Sequence, residues 1–453
     1  MNSIWAIAKN TVRQALRMKI AIVFILLLLV LLPVLGTTAT GDHTLKGRLQ
    51  TFISYGLSLT SFLLCLLTIA ISIYTVTNDI KEKQIFTIVT KPIRRFEFLT
   101  GKLIGVILLD LILLIVFSGI IYSIALYMPK FYKATQGELA QVNNEFFTAR
   151  AFLPIPQQDF TKQAQDYYDK LKKQDELPEG ITHSQAIKEI INQMQAASRI
   201  ANIGDGIVWE FDNVKPLSQS IFIRFKYQVL QNVPDSDQQI YGRWIVGDPH
   251  SVKTGEPGKT PVFVQDYKQS VDTFHEIEIP AEYIPDSGRL TVVFMNNPIN
   301  DSLVIFPKDG MEVLFKADSF TMNFVRAVLL IFSRLVFLAC LGTLAATFLS
   351  FPVAILLCLV VFVTASFSSF VIESFGTMSA GVGLFYSYTL KWIINLLPQF
   401  DKFNPTKFLV TSRLVSWSFL GQCILFMVCI KALLLLALAF LIFTYKEIAK
   451  IIV

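Results

Sequence analysis

Charge is scarce in this chain. Of 453 residues, only 16% are Asp, Glu, Lys or Arg, while 53% are hydrophobic. A soluble globular domain carries roughly 25% charge, so the deficit excludes an ordinary soluble protein and turns much of the surface toward lipid. Histidine is scarcer still, with only His43, His183, His250 and His275. No Ser-His-Asp or Cys-His set can be assembled around them, so no catalytic residue and no metal ligand is assigned. The polar stretch 128–320 has no cysteine, and Cys65, Cys340, Cys358, Cys423 and Cys429 all fall in apolar runs. A disulfide framework is thereby excluded from the polar stretch. A phosphate-cradling loop is missing too. The nearest approach, Gly255-Glu-Pro-Gly-Lys-Thr260, has Lys253 where the first glycine belongs. The chain is expected to bind no nucleotide or other cofactor itself and to be no enzyme.

What is present is a series of long apolar runs. Ile20–Leu35, Phe52–Val76, Leu103–Tyr127, Ala327–Leu349, Pro352–Val371 and Cys423–Thr444 mostly approach or exceed the ~20 residues that cross a bilayer. Mean hydropathy is +0.53. The net charge of +6 comes from clusters at Lys9–Lys19, Lys81–Lys102 and Lys446–Lys450, where runs would meet cytoplasm. This pattern speaks against nucleic acid as a partner and for membrane lipid.

Residues 1–19 read as an amphipathic interface helix rather than a signal peptide. Trp5 favours the interface, Lys9, Arg13 and Arg17 recur every four residues, and Ile4, Ala8, Val12, Ala15 and Leu16 fill another face. With that helix cytoplasmic, residues 20–127 hold spans 1–3, including a short charged loop at 78–102. Residues 128–320 are then extracytoplasmic, 321–372 hold spans 4 and 5, and 422–453 hold span 6 and a cytoplasmic tail. Residues 373–421 are expected as outer re-entrant or interfacial helices. Seven spans is the alternative, since Phe375–Leu397 is apolar and the cations Lys402, Lys407 and Arg413 fall outside against the positive-inside tendency.

The polar insertion divides in two. Residues 128–204 read as helical, with helices over Thr161–Lys173 and Ser184–Arg199. In the second, Ile187, Ile190, Ile191 and Met194 make one stripe. Residues 205–320 alternate in the strand period. Runs such as Val208–Phe211, Tyr241–Val246 and Leu290–Phe294 are broken by Pro, Gly, Asp and Asn, which predicts a β-sandwich resembling a jelly roll. Trp209 and Trp244 could stack on sugar rings, although strand alternation favours their burial. Within the runs, Arg334 and Asp110 are candidate functional charges, because a charge at membrane depth is costly and faces protein or water.

The loop carries the most information. Its order, an acidic-basic segment with Glu82, then Lys91-Pro-Ile-Arg-Arg95, then Gly101-Lys102, resembles the cytoplasmic coupling loop of type-2 ABC exporter permeases. Pro92 breaks the helix at Lys91, and Arg94 and Arg95 offer charges to a partner. The likeness extends over the spans, Asn2–Arg17 and Leu397-Pro-Gln-Phe-Asp-Lys-Phe-Asn404. Glu82, Pro92, Arg95, Gly101 and Lys102 match the family's recurrent loop positions, and Gln84-Ile85 departs from it. The resemblance implies a membrane all-α permease bundle, a second permease subunit (identical or related), and a dimer of separate ABC ATPase subunits that supply ATP and Mg. It also implies export from the cytoplasmic membrane, with the outer domain meeting substrate or an envelope partner. Two alternatives stand beside it: an ATP-driven mechanotransmitting complex acting on envelope partners, and a membrane-anchored carbohydrate-binding receptor.

Overall fold

The computed structural model describes residues 2–42, 44–81, 94–132, 134–156, 158–174, 183–214, 220–229, 239–250, 261–376 and 397–445. It divides into two compact units, one of Met1–Ala149 with Asp318–Val453, the other of Arg150–Ala317.

The first unit is a helical bundle. Its helices are α1 (Asn2–Leu16), α2 (Lys19–Thr38), α3 (Leu45–Lys81), α4 (Arg95–Phe131) and α5 (Gln136–Glu145). After the second unit come α8 (Phe320–Phe348), α9 (Phe351–Ser366), α10 (Ser368–Gly376), α11 (Pro405–Val410) and α12 (Trp417–Tyr445). Five of them, α2, α3, α4, α8 and α12, are long and apolar enough to cross a membrane. The chain is therefore a membrane protein. Its most lipid-like helices, α2 and α12, leave most of their apolar side chains at the bundle's surface, whereas α3 and α8 are largely buried. An apolar helix with an exposed apolar surface is stable only in a hydrocarbon solvent.

Three features depart from the sequence expectations. The fifth run is a helix of only 16 residues, short for a crossing, and it breaks at Phe367 before α10. α5 belongs to the bundle unit, and the second compact unit begins at Arg150. Helix α12 winds as a π-helix over Ile424–Ala432, a form that is rare beyond a single turn.

The segment 397–404 is irregular, and its polar backbone is satisfied by cations from two long helices. Arg334 Nη2 of α8 donates to Phe400 O at 2.9 Å, and Lys431 Nζ of α12 donates to Leu397 O at 2.6 Å. Phe400 N reaches Ala365 O at 3.0 Å, and the Phe400 ring is fully buried. Irregular backbone packed inside a bundle of apolar helices is tolerated only where protein satisfies it in this way.

Among the described residues, the second unit holds α6 (Thr161–Gln174), α7 (His183–Ala197) and eleven strands. The longer ones are β1 (Thr148–Pro154), β3 (Gly206–Phe211), β4 (Ser220–Phe225), β6 (Gln239–Gly247), β7 (Phe263–Ser270), β8 (His275–Pro280), β9 (Leu290–Asn296) and β11 (Met311–Ser319). They form two four-stranded sheets, ordered β1-β11-β4-β8 and β3-β9-β6-β7. The short strands β2 (Ile200–Ala201), β5 (Gln228–Val229) and β10 (Val304–Ile305) form a third sheet, ordered β2-β10-β5. Residues of β3 and β6 alternate exposed and buried, as period-2 side chains on a half-buried sheet must. Both four-stranded sheets feed one aromatic core, where Phe225 of β4 meets Trp244 of β6 at 4.3 Å between ring centroids. Strand β1 was not expected within the helical stretch. It joins the edge of its sheet beside β11, and only that pairing identifies it.

Candidate functional site

The site is built where α1 lies against the two ends of the loop that joins α3 to α4. The loop residues 82–93, with Glu82, Lys91 and Pro92, lie outside the described residues, as does the 251–260 imitation of a phosphate loop. The helix ends that carry the loop are well defined. Asp79 lies in the last turn of α3 and Lys102 in the second turn of α4. Lys102 Nζ sits 2.6 Å from Asp79 Oδ2, and both side chains are almost wholly shielded from solvent. Lys102 Nζ also donates to Gln14 Oε1 of α1 at 3.0 Å, while Gln14 Nε2 lies 3.5 Å from Asp79 Oδ1. Three helices thus converge on one buried ion pair. Such a pair contributes modest net stability, but removing one partner leaves an uncompensated charge and is costly. The pair therefore specifies how α1, α3 and α4 are joined.

Glycine makes this approach feasible. A Cβ on Gly101 would lie 2.8 Å from Ile7 Cβ and 3.0 Å from Ile4 O. One on Gly105 would lie 2.6 Å from Thr11 Cβ and 2.8 Å from Ala8 O. The two glycines stand one turn apart on one face of α4, the small-xxx-small spacing that lets helix backbones meet. Ala8, Thr11 and Ala15 of α1 are buried against that face, while Trp5, Lys9, Arg13 and Arg17 are exposed. The basic stripe of the amphipathic helix consequently points away from the bundle.

The two loop arginines part company. Arg94 is exposed, and its backbone N–H donates to Glu97 Oε2 at 3.2 Å to start α4. Arg95 turns inward. Its Nη1 donates to Thr444 O at 2.7 Å and to Phe443 O at 3.3 Å, in the last described turn of α12. A guanidinium donating to main-chain carbonyls makes a charge-assisted hydrogen bond stronger than a neutral one. Arg95 therefore links the start of α4 to the last long helix. Arg95→Gln is expected to loosen the last described turn of α12 by about 1 kcal/mol, seen as faster amide exchange over residues 440–445. Unchanged exchange there would show that the contact is idle.

Beside this joint lies a cavity of about 380 Å³ lined by Tyr74, Thr77, Asn78 and Lys81 of α3 with Ala346, Leu349, Ser350 and Phe351. The tight turn between α8 and α9 thus opens at the same end of the bundle as the loop.

The intramembrane candidates fall elsewhere. Arg334 Nη1 contacts Ser61 Oγ at 3.3 Å, and its guanidinium lies over the Phe400 ring at 4.9 Å. It serves the irregular segment rather than a carboxylate. Asp110 is buried, with no hydrogen-bond partner found for either carboxylate oxygen among the described residues. In the second unit, Trp209 and Trp244 are both buried and their rings stack at 6.4 Å, so neither offers a face to solvent. Among the described residues no group of His, Cys, Asp and Glu is arranged to hold a metal ion.

Sequence reasoning singled out Gly101 and Lys102 but missed Gln14, Asp79 and Gly105. The Gly101-Lys-Leu-Ile-Gly105 spacing was the signal for the last of these. Neither a scan of protein-family models nor searches of curated proteins and solved structures return a match for the chain.

Proposed function

We propose that this chain is the permease subunit of an ATP-driven exporter of the type-2 ABC kind, and that the buried Lys102–Asp79–Gln14 joint passes the stroke of a separate ATPase to the membrane helices. The observation that carries the reading is the joint itself. A surface loop with no mechanical task has no need of a desolvated ion pair at its root, a glycine-lined seat for an amphipathic helix, and an arginine contact on the last helix. Together these tie the two helix ends that carry the loop to α1 and α12, as a lever would require. Exposed Arg94 is a charge available to meet a partner carboxylate.

In this reading α1 and the loop face the cytoplasm. Helices α2, α3, α4, α8, α9 with α10, and α12 make six crossings, and the 150–317 unit lies outside. The jelly-roll reading of that unit is supported by its strand order, since eight successive strands distribute as first-eighth-third-sixth and second-seventh-fourth-fifth. Two copies, or this chain and a relative, would frame the path and seat two ATPases carrying ATP and Mg. The mechanotransmitting alternative uses the same lever and differs only in what the outer unit moves. The carbohydrate-receptor alternative is weakened by the burial of Trp209 and Trp244.

A photo-crosslinking amino acid placed at Arg94 in native membranes tests the reading. The expected product joins this chain to a nucleotide-binding polypeptide, while the same probe at Tyr241 gives none. Crosslinks to lipid alone from position 94 would remove the basis for the proposal.

A further inference from the structure

Between Phe320 and Tyr445 the chain carries seven cations (Arg326, Arg334, Lys391, Lys402, Lys407, Arg413 and Lys431) and two acids, Glu373 and Asp401. Three of the cations, Lys402, Lys407 and Arg413, line one cavity of about 230 Å³ with Ser369, Asp401 and Phe408. Asp401, the one acid on its wall, is already engaged. Its Oδ1 accepts from Ser368 Oγ at 3.0 Å, and its Oδ2 from Ser369 N at 2.5 Å, at the start of α10. Neither Lys402 nor Lys407 has an ion-pair or side-chain hydrogen-bond partner among the described residues, and both are exposed. The undescribed stretch 377–396 contains no acidic residue that could supply one.

The cavity's height in the bundle is set by its neighbours. Asn323 Nδ2, in the first turn of α8, donates to Arg413 O at 2.9 Å, and Gln50 Nε2, near the start of α3, donates to Val410 O at 2.8 Å. These are the ends of the apolar helices, where a lipid headgroup would lie. Phe367 and Phe370, which flank Ser368 and Ser369 in the chain, are 60% and 69% exposed, rings of the kind that gather at a membrane–water boundary. A cation-lined hollow with apolar rings beside it presents charge to a phosphate and hydrocarbon to the chains attached to it.

From this geometry we infer that Lys402, Lys407 and Arg413 form a binding site for the phosphate of an anionic phospholipid, at the end of the bundle remote from α1. The site holds whether or not an ATPase drives the chain. It also gives a reason for three cations at an end of the bundle where the positive-inside tendency does not call for them.

The full chain, purified in a neutral maltoside and stripped of lipid, tests the site by native mass spectrometry and thermal unfolding. Phosphatidylglycerol is expected to be retained and to raise the unfolding temperature, with phosphatidylcholine and millimolar inorganic phosphate doing neither. In K402Q/K407Q the phosphatidylglycerol affinity is expected to fall about thirtyfold, with the lipid-free unfolding temperature unchanged. K402R/K407R is expected to bind as the wild type does. Equal phosphatidylglycerol binding by K402Q/K407Q and the wild type would overturn the site. Equal protection by inorganic phosphate would overturn its assignment to lipid.

Discussion

Lys102→Met is expected to destabilise the bundle by about 3–5 kcal/mol and to release α1 from α4. Methionine nearly matches the lysine stem in length, so packing is largely kept and the change isolates the charge. Asp79 is left buried without a counter-charge, and Gln14 Oε1 loses its donor. Asp79→Leu should cost a similar amount by stranding Lys102. The double variant Asp79→Leu/Lys102→Met is expected to be much more stable than the sum of the singles, because residues in contact couple by about 0.5–3 kcal/mol and an apolar pair needs no desolvation. Thermal unfolding of the four proteins in detergent, with amide exchange over residues 4–16, provides the cycle. Additive singles would mean that the three helices are held by packing alone and that the ion pair specifies nothing.

Gly105→Leu is the second large effect expected. Its first side-chain atom would fall 2.8 Å from a backbone carbonyl, Ala8 O, and 2.6 Å from Thr11 Cβ. A flexible side chain could yield, but a helix backbone can only move away. Overpacking of this kind costs about 1–3 kcal/mol or more, and here it would be relieved by α1 lifting off α4. The variant should therefore fold its long helices, lose amide protection across α1, and lose any ATP-dependent activity of the complex. Gly119→Leu, on the same helix with open space at its Cβ position, is the matched control and should be silent. Full α1 protection in Gly105→Leu would contradict the seating of that helix.

The sequence disclosed those parts of the fold governed by local period. The basic stripe of α1 was legible from Lys9, Arg13 and Arg17 at intervals of four, and the strands from alternation bounded by turn residues. Both signals depend only on neighbours in the chain. Contacts between distant segments were not legible. Arg95 read as a docking charge because it lies beside Arg94, yet its partners are carbonyls nearly 350 positions away. Arg334 read as a candidate functional charge facing protein or water, and only the fold supplies its acceptor, Phe400 O. Nothing local singles out Asp79, whose partner Lys102 lies across the whole length of the loop. The split of the fifth run into α9 and α10 was hidden for a related reason. Its break is set by Asp401 taking up the backbone N–H of Ser369, and no residue inside the run announces it.

The central claim, that this chain couples to a separate ATPase through Arg94 and the joint behind it, is tested most directly by one purification. The chain would be isolated from its native membrane in mild detergent and assayed for Mg-dependent ATP hydrolysis and for stoichiometric companions. The account predicts a co-purifying ATPase chain, lost in Arg94→Glu although that variant keeps the wild-type unfolding temperature. A well-folded chain that brings no ATPase with it, in either form, would contradict it.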